Sequence, residues 1–144
     1  MDLGTTGAIL TFALELEKDI GAFYRRNLPE VSNAHLKQAF GEIQRTQKKR
    51  ERLLGRLRRE NVTEMILEPI HGFESDAFEM AISSEVPHED SFLKATAIKV
   101  EETLQSFFAA ASEKTTFLPE VSDEFKRISE EAGKYAALLL SIEP

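Results

Sequence analysis

Apolar residues recur at steps of three and four along most of the chain, which is the spacing of amphipathic helices. This pattern predicts helices at about 5–27, 32–61, 90–114 and 120–142. Residues that commonly cap helix starts stand at the predicted beginnings: Thr5 or Thr6, Ser32 or Asn33, Asp90 or Ser91, and Ser122. Since no stretch has the alternation of a convincing strand, the sequence predicts an all-α fold.

The helical pattern weakens between residues 62 and 89, where Pro69, Gly72 and Pro87 interrupt it. Within this stretch, Asp76–Ile82 is predicted to form a short helix. A connection of this length is unusual in a compact domain unless it crosses the whole bundle. We therefore expect two helical hairpins joined by a long crossover, with the helices running up, down, down and up.

The chain contains an internal repeat that covers one helix and one turn in each half. The stretch from Ala13 to Tyr24 returns as Ala97 to Phe108, with an acid, a later aliphatic residue and two aromatic residues in the same order. The turn Leu28–Ser32 recurs unchanged as Leu118–Ser122. The two halves are therefore expected to fold as similar hairpins.

The repeated acids, Glu17 and Glu101, are the strongest functional signal in the sequence. Each lies in register with apolar residues three or four positions away, so each is predicted to face the core. A buried charge is costly unless it is paired or coordinated, which makes both acids candidate site residues. The alternative is that both helices roll slightly and leave the acids at the edge of the bundle.

These residues resemble the rubrerythrin branch of the ferritin-like family, in a form that is degenerate in its di-iron ligands. The most specific matches are acids followed by paired aromatic residues: Glu17 with Phe23-Tyr24, and Glu101 with Phe107-Phe108. The resemblance covers most of the chain and implies a single ferritin-like four-helix-bundle domain over residues 1–144. In that family each hairpin supplies one Glu from its first helix and a Glu-x-x-His from its second, and these bind two iron or manganese ions.

The second helix of each hairpin departs from the family's pattern. The Glu-x-x-His positions of these two helices contain no histidine. In the second helix of the chain they are Gln47 and Arg50. In the fourth helix they are Ala132 and Tyr135, or Glu131 and Lys134 if the register shifts by one residue. Arg cannot be deprotonated to bind metal, and two acids are too few for a dinuclear site. We therefore expect Glu17 and Glu101 to be vestigial metal ligands, satisfied by Gln47, Arg50 and Tyr135.

The three histidines lie away from these positions. His35 lies near the start of the second helix, and His71 and His88 lie in the crossover. The crossover could fold back and donate one of them to the core, but we expect them at the surface. Glu68 and Glu74 flank His71, which would allow a chance surface metal site.

Composition bounds the remaining possibilities. A chain of 144 residues that is 42% hydrophobic can bury one core, and the absence of cysteine excludes disulfides and iron–sulfur clusters. The apolar patch at 8–14 is too short for a signal peptide or a spanning helix, so we expect a cytoplasmic protein without membrane association.

The charge of the chain is unevenly distributed. The net charge is −7, yet residues 45–59 contain eight basic residues and one acid. We interpret this run as a solvated helix face, and the overall charge argues against nucleic acid as the main partner. Anion or nucleic-acid binding through this face is the alternative. Residues 60–90 contain nine acids and no Lys or Arg, and this charge, opposite to that of the second helix, favours a homodimer.

The functional prediction follows from the missing ligands. We expect a ferritin-like protein that has lost its dinuclear metal site, has no cofactor or catalytic residue, and serves a binding or assembly role. The alternative is an iron or manganese oxidoreductase, of the peroxidase or oxidase type, that uses substitute ligands.

Overall fold

The computed structural model describes residues 1–61, 69–80 and 87–143, and these residues form an all-α fold. Four main helices lie in these ranges: α1 (Thr6–Asn27), α2 (Ala34–Glu60), α3 (Asp90–Lys114) and α4 (Pro119–Ser141). Short 3₁₀ helices span Leu28–Glu30 and Ser75–Phe78. The only β pairing among the described residues is one isolated bridge between Asp2 and Glu74. The four predicted helices are confirmed, with every end within two residues of its predicted position.

Side-chain caps start the first two helices where the sequence predicts them. The Thr5 hydroxyl accepts the N–H of Ala8 at 3.0 Å, and the Asn33 side chain accepts the N–H of Leu36 at 2.9 Å. These bonds satisfy N–H groups that have no partner within the helix. Asn61 closes α2, because its backbone N–H donates to Leu57 O.

The other two predicted caps are wrong. Helix α4 begins at Pro119, whose fixed φ suits the first turn, so Ser122 lies inside the helix and donates to Ser112 O at 2.7 Å. Helix α3 begins at Asp90, but the Asp90 carboxylate does not cap its own helix. It accepts the N–H groups of Ser32 and Asn33 at 2.9 and 2.8 Å, in the turn before α2.

This Asp90 contact also fixes the direction of the helices. It places the start of α3 beside the start of α2, so these two helices run the same way. Lys94 near the start of α3 donates to Ile142 O, so α4 ends at the same end of the molecule. Helix α1 packs against α2 and α3, and α4 packs against α3 and α2. The predicted order of up, down, down and up is therefore present.

The described part of the crossover is held by the N-terminal residues. The N–H of Leu3 donates to Phe73 O at 2.8 Å, and the N–H of Ile70 donates to Gly4 O at 2.8 Å. Phe73 stacks on Phe107 of α3 with ring centroids 5.9 Å apart. The short helix predicted at 76–82 is only partly tested, because residues 81 and 82 lie outside the described ranges; a 3₁₀ turn occupies Ser75–Phe78.

The internal repeat is visible in the core as two matching groups of aromatic rings: Phe23, Tyr24 and Phe40 in the first hairpin, and Phe107, Phe108 and Phe125 in the second. The Tyr24–Phe40 centroids lie 5.2 Å apart, and the Phe108–Phe125 centroids lie 5.6 Å apart. Each hairpin therefore packs the second ring of its repeated pair against a Phe of its second helix, at interplanar angles of 85° and 49°. None of the helices in the described ranges has an apolar stretch long enough to cross a membrane.

Candidate functional site

Both repeated acids are completely buried. Glu17 on α1 and Glu101 on α3 have 0% of their surface exposed. The alternative that the helices roll and leave these acids at the edge of the bundle is therefore wrong. Together with Tyr24, Gln47 and Arg50, which are all at most 3% exposed, they form a group that we call the buried polar cluster.

Arg50 of α2 is the partner of Glu17. Its Nε lies 3.1 Å from both carboxylate oxygens of Glu17, so a single N–H group is shared by the two oxygens. Arg50 lies on the apolar line of α2 seven residues after Ile43 and four before Leu54, which carries its side chain into the core. The predicted pairing of Arg50 with a buried acid is therefore present in the structure.

Tyr24 of α1 is the partner of Glu101. Its hydroxyl donates to Glu101 Oε2 at 3.0 Å. Burial and the adjacent Glu101 charge raise the pKa of Tyr24 well above its usual value, so the hydroxyl keeps its proton and remains a donor. This bond joins the first hairpin to the second inside the core.

Gln47 supports Glu17 through the backbone. Its Nε2 donates to Glu17 O and to Glu51 Oε1, each at 2.6 Å. Gly21, one turn after Glu17, makes room for this side chain, since a Cβ at that position would lie 2.6 Å from Gln47 Oε1. The sequence predicted that Gln47 would satisfy the buried acids. In the structure it donates mainly to the backbone carbonyl oxygen of Glu17.

The buried polar cluster holds two carboxyl groups and only one cation. Burial raises the pKa of Glu101 to about 7, and the Glu17 charge adds to this while Arg50 and Tyr24 oppose it. Burial also raises the pKa of Glu17 against the opposing charge of Arg50. Burial alone would lower the pKa of Arg50, but the Glu17 and Glu101 charges outweigh it and raise that pKa. The cluster therefore contains a carboxyl group, Glu101, whose pKa lies near neutral pH.

Some hydrogen-bonding capacity in the cluster is unused. Among the described residues, Nη1 and Nη2 of Arg50 and Oε1 of Glu101 are buried and have no hydrogen-bond partner. Buried polar groups without partners are costly, so the cluster is held together against a considerable desolvation penalty.

Tyr135 is not part of the cluster, which corrects the prediction that it would satisfy an acid. It is half-buried, and its hydroxyl lies 2.7 Å from the Thr46 hydroxyl. Of the other predicted ligand positions in α4, Ala132 is fully buried, Glu131 is half-buried and Lys134 is exposed. The Glu131 charge contributes to raising the pKa of Glu101, so Glu131 lies within electrostatic reach of the site.

The histidines do not approach the acids. His35, His71 and His88 are all exposed, and His88 Nδ1 lies 3.6 Å from Glu30 Oε2 at the surface. In the described part of the chain, no three His, Asp or Glu residues are grouped so that they could hold a metal ion. Glu68, one of the two acids predicted to flank a surface site at His71, lies outside the described residues.

Tyr24 is the residue of the buried polar cluster that the sequence did not predict as a partner of the acids. A signal was available in the repeat, because Tyr24 aligns with Phe108 and differs from it only by the hydroxyl. A polar atom added at a core position that is otherwise repeated indicates a buried acceptor nearby.

Comparison of the chain with protein-family models, with curated proteins and with solved structures gives no match to any of them.

Proposed function

We propose that this protein is a ferritin-like bundle of the rubrerythrin type in which an internal ion pair has replaced the dinuclear metal centre, and that it serves a binding or assembly role. The observation that carries the proposal is the position of Arg50, whose Nε lies 3.1 Å from both carboxylate oxygens of Glu17. The order of the four helices and the repeated acids on the first helix of each hairpin support the ferritin-like assignment.

The residues around the two acids do not fit a centre of two iron or manganese ions. Arg50 is a permanent cation, so it repels a metal ion and occupies the carboxylate that would bind one. Ala132 offers no ligand atom, and the Tyr135 hydroxyl is engaged with Thr46. Such metals need several carboxylate or imidazole ligands, and the cluster offers Glu101 alone with a free oxygen.

The accessibility of the cluster argues against catalysis. Glu17, Tyr24 and Glu101 have no exposed surface, so a substrate cannot reach them without opening the bundle. A surface cavity of about 430 Å³ lies near the end of α4, lined by residues that include His35 and Glu42, and none of its lining residues belongs to the cluster. We therefore propose that the protein acts through its outer surfaces, and the homodimer expected from the charge pattern stays a prediction.

Metal content tests this proposal. The protein would be produced with iron or manganese in the medium, purified by gel filtration and analysed by mass spectrometry of the elements. We expect far less than one metal ion per chain, and no change in melting temperature on adding ferrous or manganous ion. Sedimentation equilibrium would test the homodimer.

The alternative, an iron or manganese oxidoreductase, would need Glu17 and Glu101 as metal ligands, so it predicts a different metal content. Near-stoichiometric metal that is lost in Glu17→Ala, but kept in the matched exposed variant Glu15→Ala, would overturn the proposal.

A further inference from the structure

The outward face of α2 consists entirely of basic residues between Arg45 and Arg59. Successive helical residues are separated by about 100°, and every position within one arc of about 100° on this face is Arg or Lys. We call these six residues the basic stripe: Arg45, Lys48, Lys49, Arg52, Arg56 and Arg59. At 1.5 Å per residue the basic stripe extends for about 21 Å along the helix.

The basic stripe lies directly opposite the face of α2 that packs into the core. Gln47, Arg50 and Leu54 are buried on the inner face, whereas all six residues of the stripe are exposed. The sequence run of eight basic residues therefore divides in the structure. Arg50 enters the core and pairs with Glu17, Arg58 is exposed but lies outside the arc of the stripe, and the remaining six residues form a single straight surface.

Little of this charge is neutralised by the described part of the chain. One ion pair reaches the stripe there, between Arg56 Nε and Glu60 Oε1 at 3.7 Å, and both side chains are about half exposed. Exposed pairs of this kind contribute little, while like charges three and four residues apart destabilise a helix. Glu51, the acid within the run, is engaged by Gln47 on the other side of the helix. The stripe is therefore a surface whose self-repulsion a polyanion would relieve.

We propose that the basic stripe binds the phosphate backbone of double-stranded nucleic acid. Four of its six residues are Arg, whose guanidinium groups suit phosphate oxygens, and the repeated charges match a repeated anion. The stripe contains no apolar or aromatic residue. It therefore lacks the anchors of a protein interface, the stacking platforms that bind single strands, and the side chains that enter lipid.

The overall charge of −7 does not prevent such contact. The residues outside the basic stripe carry a net charge of −13, and this is why the sequence alone argues against nucleic acid. Charges separated by more than about 8 Å are largely screened at physiological salt, so the stripe acts at short range through its own six charges. Because only backbone contacts are involved, binding should not depend on base sequence, and duplex RNA and duplex DNA should both bind. This proposal concerns a surface separate from the buried polar cluster and does not depend on metal content.

The test measures how binding depends on salt. Anisotropy of a labelled DNA duplex would be followed between about 50 and 200 mM salt, where each phosphate contact contributes about 0.9 to the slope of log K against log salt. The variant Lys48→Gln, Lys49→Gln and Arg52→Gln removes three charges of the stripe. We expect it to bind more weakly than the parent, with a slope smaller by about 2–3.

A matched control removes the same charge elsewhere. Lys18→Gln, Lys126→Gln and Lys134→Gln are exposed positions on α1 and α4, and this variant should keep the slope of the parent. Equal slopes in the two variants, or no binding of the duplex by the parent at low salt, would overturn the proposal. Binding of polyglutamate without binding of the duplex would also overturn it, in favour of an acidic protein partner. Circular dichroism of both variants would confirm that they are folded.

Discussion

The Tyr24 hydroxyl donates to Glu101 Oε2 at 3.0 Å, and this bond links α1 of the first hairpin to α3 of the second inside the core. The bond favours the ionised form of Glu101 and so opposes the effect of burial on the pKa of that group. The repeat does not duplicate this bond among the described residues, since the position equivalent to Tyr24 is Phe108.

Removal of this hydroxyl should destabilise the protein in a pH-dependent way. In Tyr24→Phe the Glu101 carboxylate loses its donor, which should cost about 1–3 kcal/mol at pH 8. The cost should be smaller at pH 5, where Glu101 is protonated. Urea unfolding at the two pH values measures this difference. Tyr135→Phe is the control, because it also removes a tyrosine hydroxyl but leaves Glu101 untouched; an equal pH-dependent loss in both variants would contradict the assignment.

The folded protein should lose stability as the pH rises from 5 to 8. The pKa of Glu101 is about 7 in the folded protein, whereas its ordinary value, which applies to the unfolded chain, is 4.5. Between these two pH values the folded chain therefore retains a proton that the unfolded chain releases. Stability from this group is therefore greatest below 4.5 and falls as the pH rises through 7, by about 3 kcal/mol in all. The raised pKa of Glu17 acts in the same direction.

The variant Glu101→Gln isolates this contribution. It removes the titrating group and keeps an oxygen that can accept from Tyr24, so its stability should fall less between pH 5 and pH 8 than that of the parent. Urea unfolding at constant ionic strength measures both proteins. A parent and variant with the same pH dependence would show that Glu101 does not titrate in this range.

Loss of Arg50 should be among the most destabilising single changes in the chain. Arg50→Leu leaves the buried Glu17 carboxylate without its cation, which should cost about 3–5 kcal/mol in the free energy of unfolding. Arg52→Leu, two residues away and exposed, should change it by less than about 0.5 kcal/mol. Replacing Glu17, Arg50 and Glu101 together by Leu should be milder than Arg50→Leu alone, because no charge is then stranded. A triple variant that is less stable than the single one would contradict the ion-pair interpretation.

The small size of Gly21 is expected to be essential for Gln47. A Cβ at Gly21 would lie 2.6 Å from Gln47 Oε1, and Gln47 is only 2% exposed, so its side chain cannot move away without losing its bond to Glu17 O. Gly21→Ala should therefore lower the melting temperature. Gly41→Ala is the control within α2, where the nearest atom would be 3.6 Å away, and it should stabilise the helix by about 0.5–1 kcal/mol. If both substitutions were stabilising, Gln47 would not be confined as described.

Most of the fold could be predicted from the sequence because its signals are local. The three-and-four spacing and the caps Thr5 and Asn33 set the helix limits, and the register of Glu17 and Glu101 predicted their burial. Arg50 could be assigned to an acid because it lies on the apolar line of α2 and offers donors to a carboxylate.

The remaining features depend on contacts between distant parts of the chain. The Asp90 carboxylate caps the turn at Ser32 rather than its own helix, and no local pattern distinguishes these two outcomes. Tyr24 and Tyr135 are both near the expected site in sequence register, and only the packing of α1 against α3 decides which hydroxyl reaches Glu101.

The two hairpins repeat the buried acid but not the residues that pair with it, so they are complementary rather than interchangeable. Tyr24 and Arg50 both belong to the first hairpin, and their counterparts Phe108 and Tyr135 give Glu101 no donor from its own half. Two copies of the second hairpin would therefore bury two carboxylates without a cation. If the hairpins were produced as separate polypeptides, the α3–α4 fragment should reassemble with the α1–α2 fragment in preference to a copy of itself.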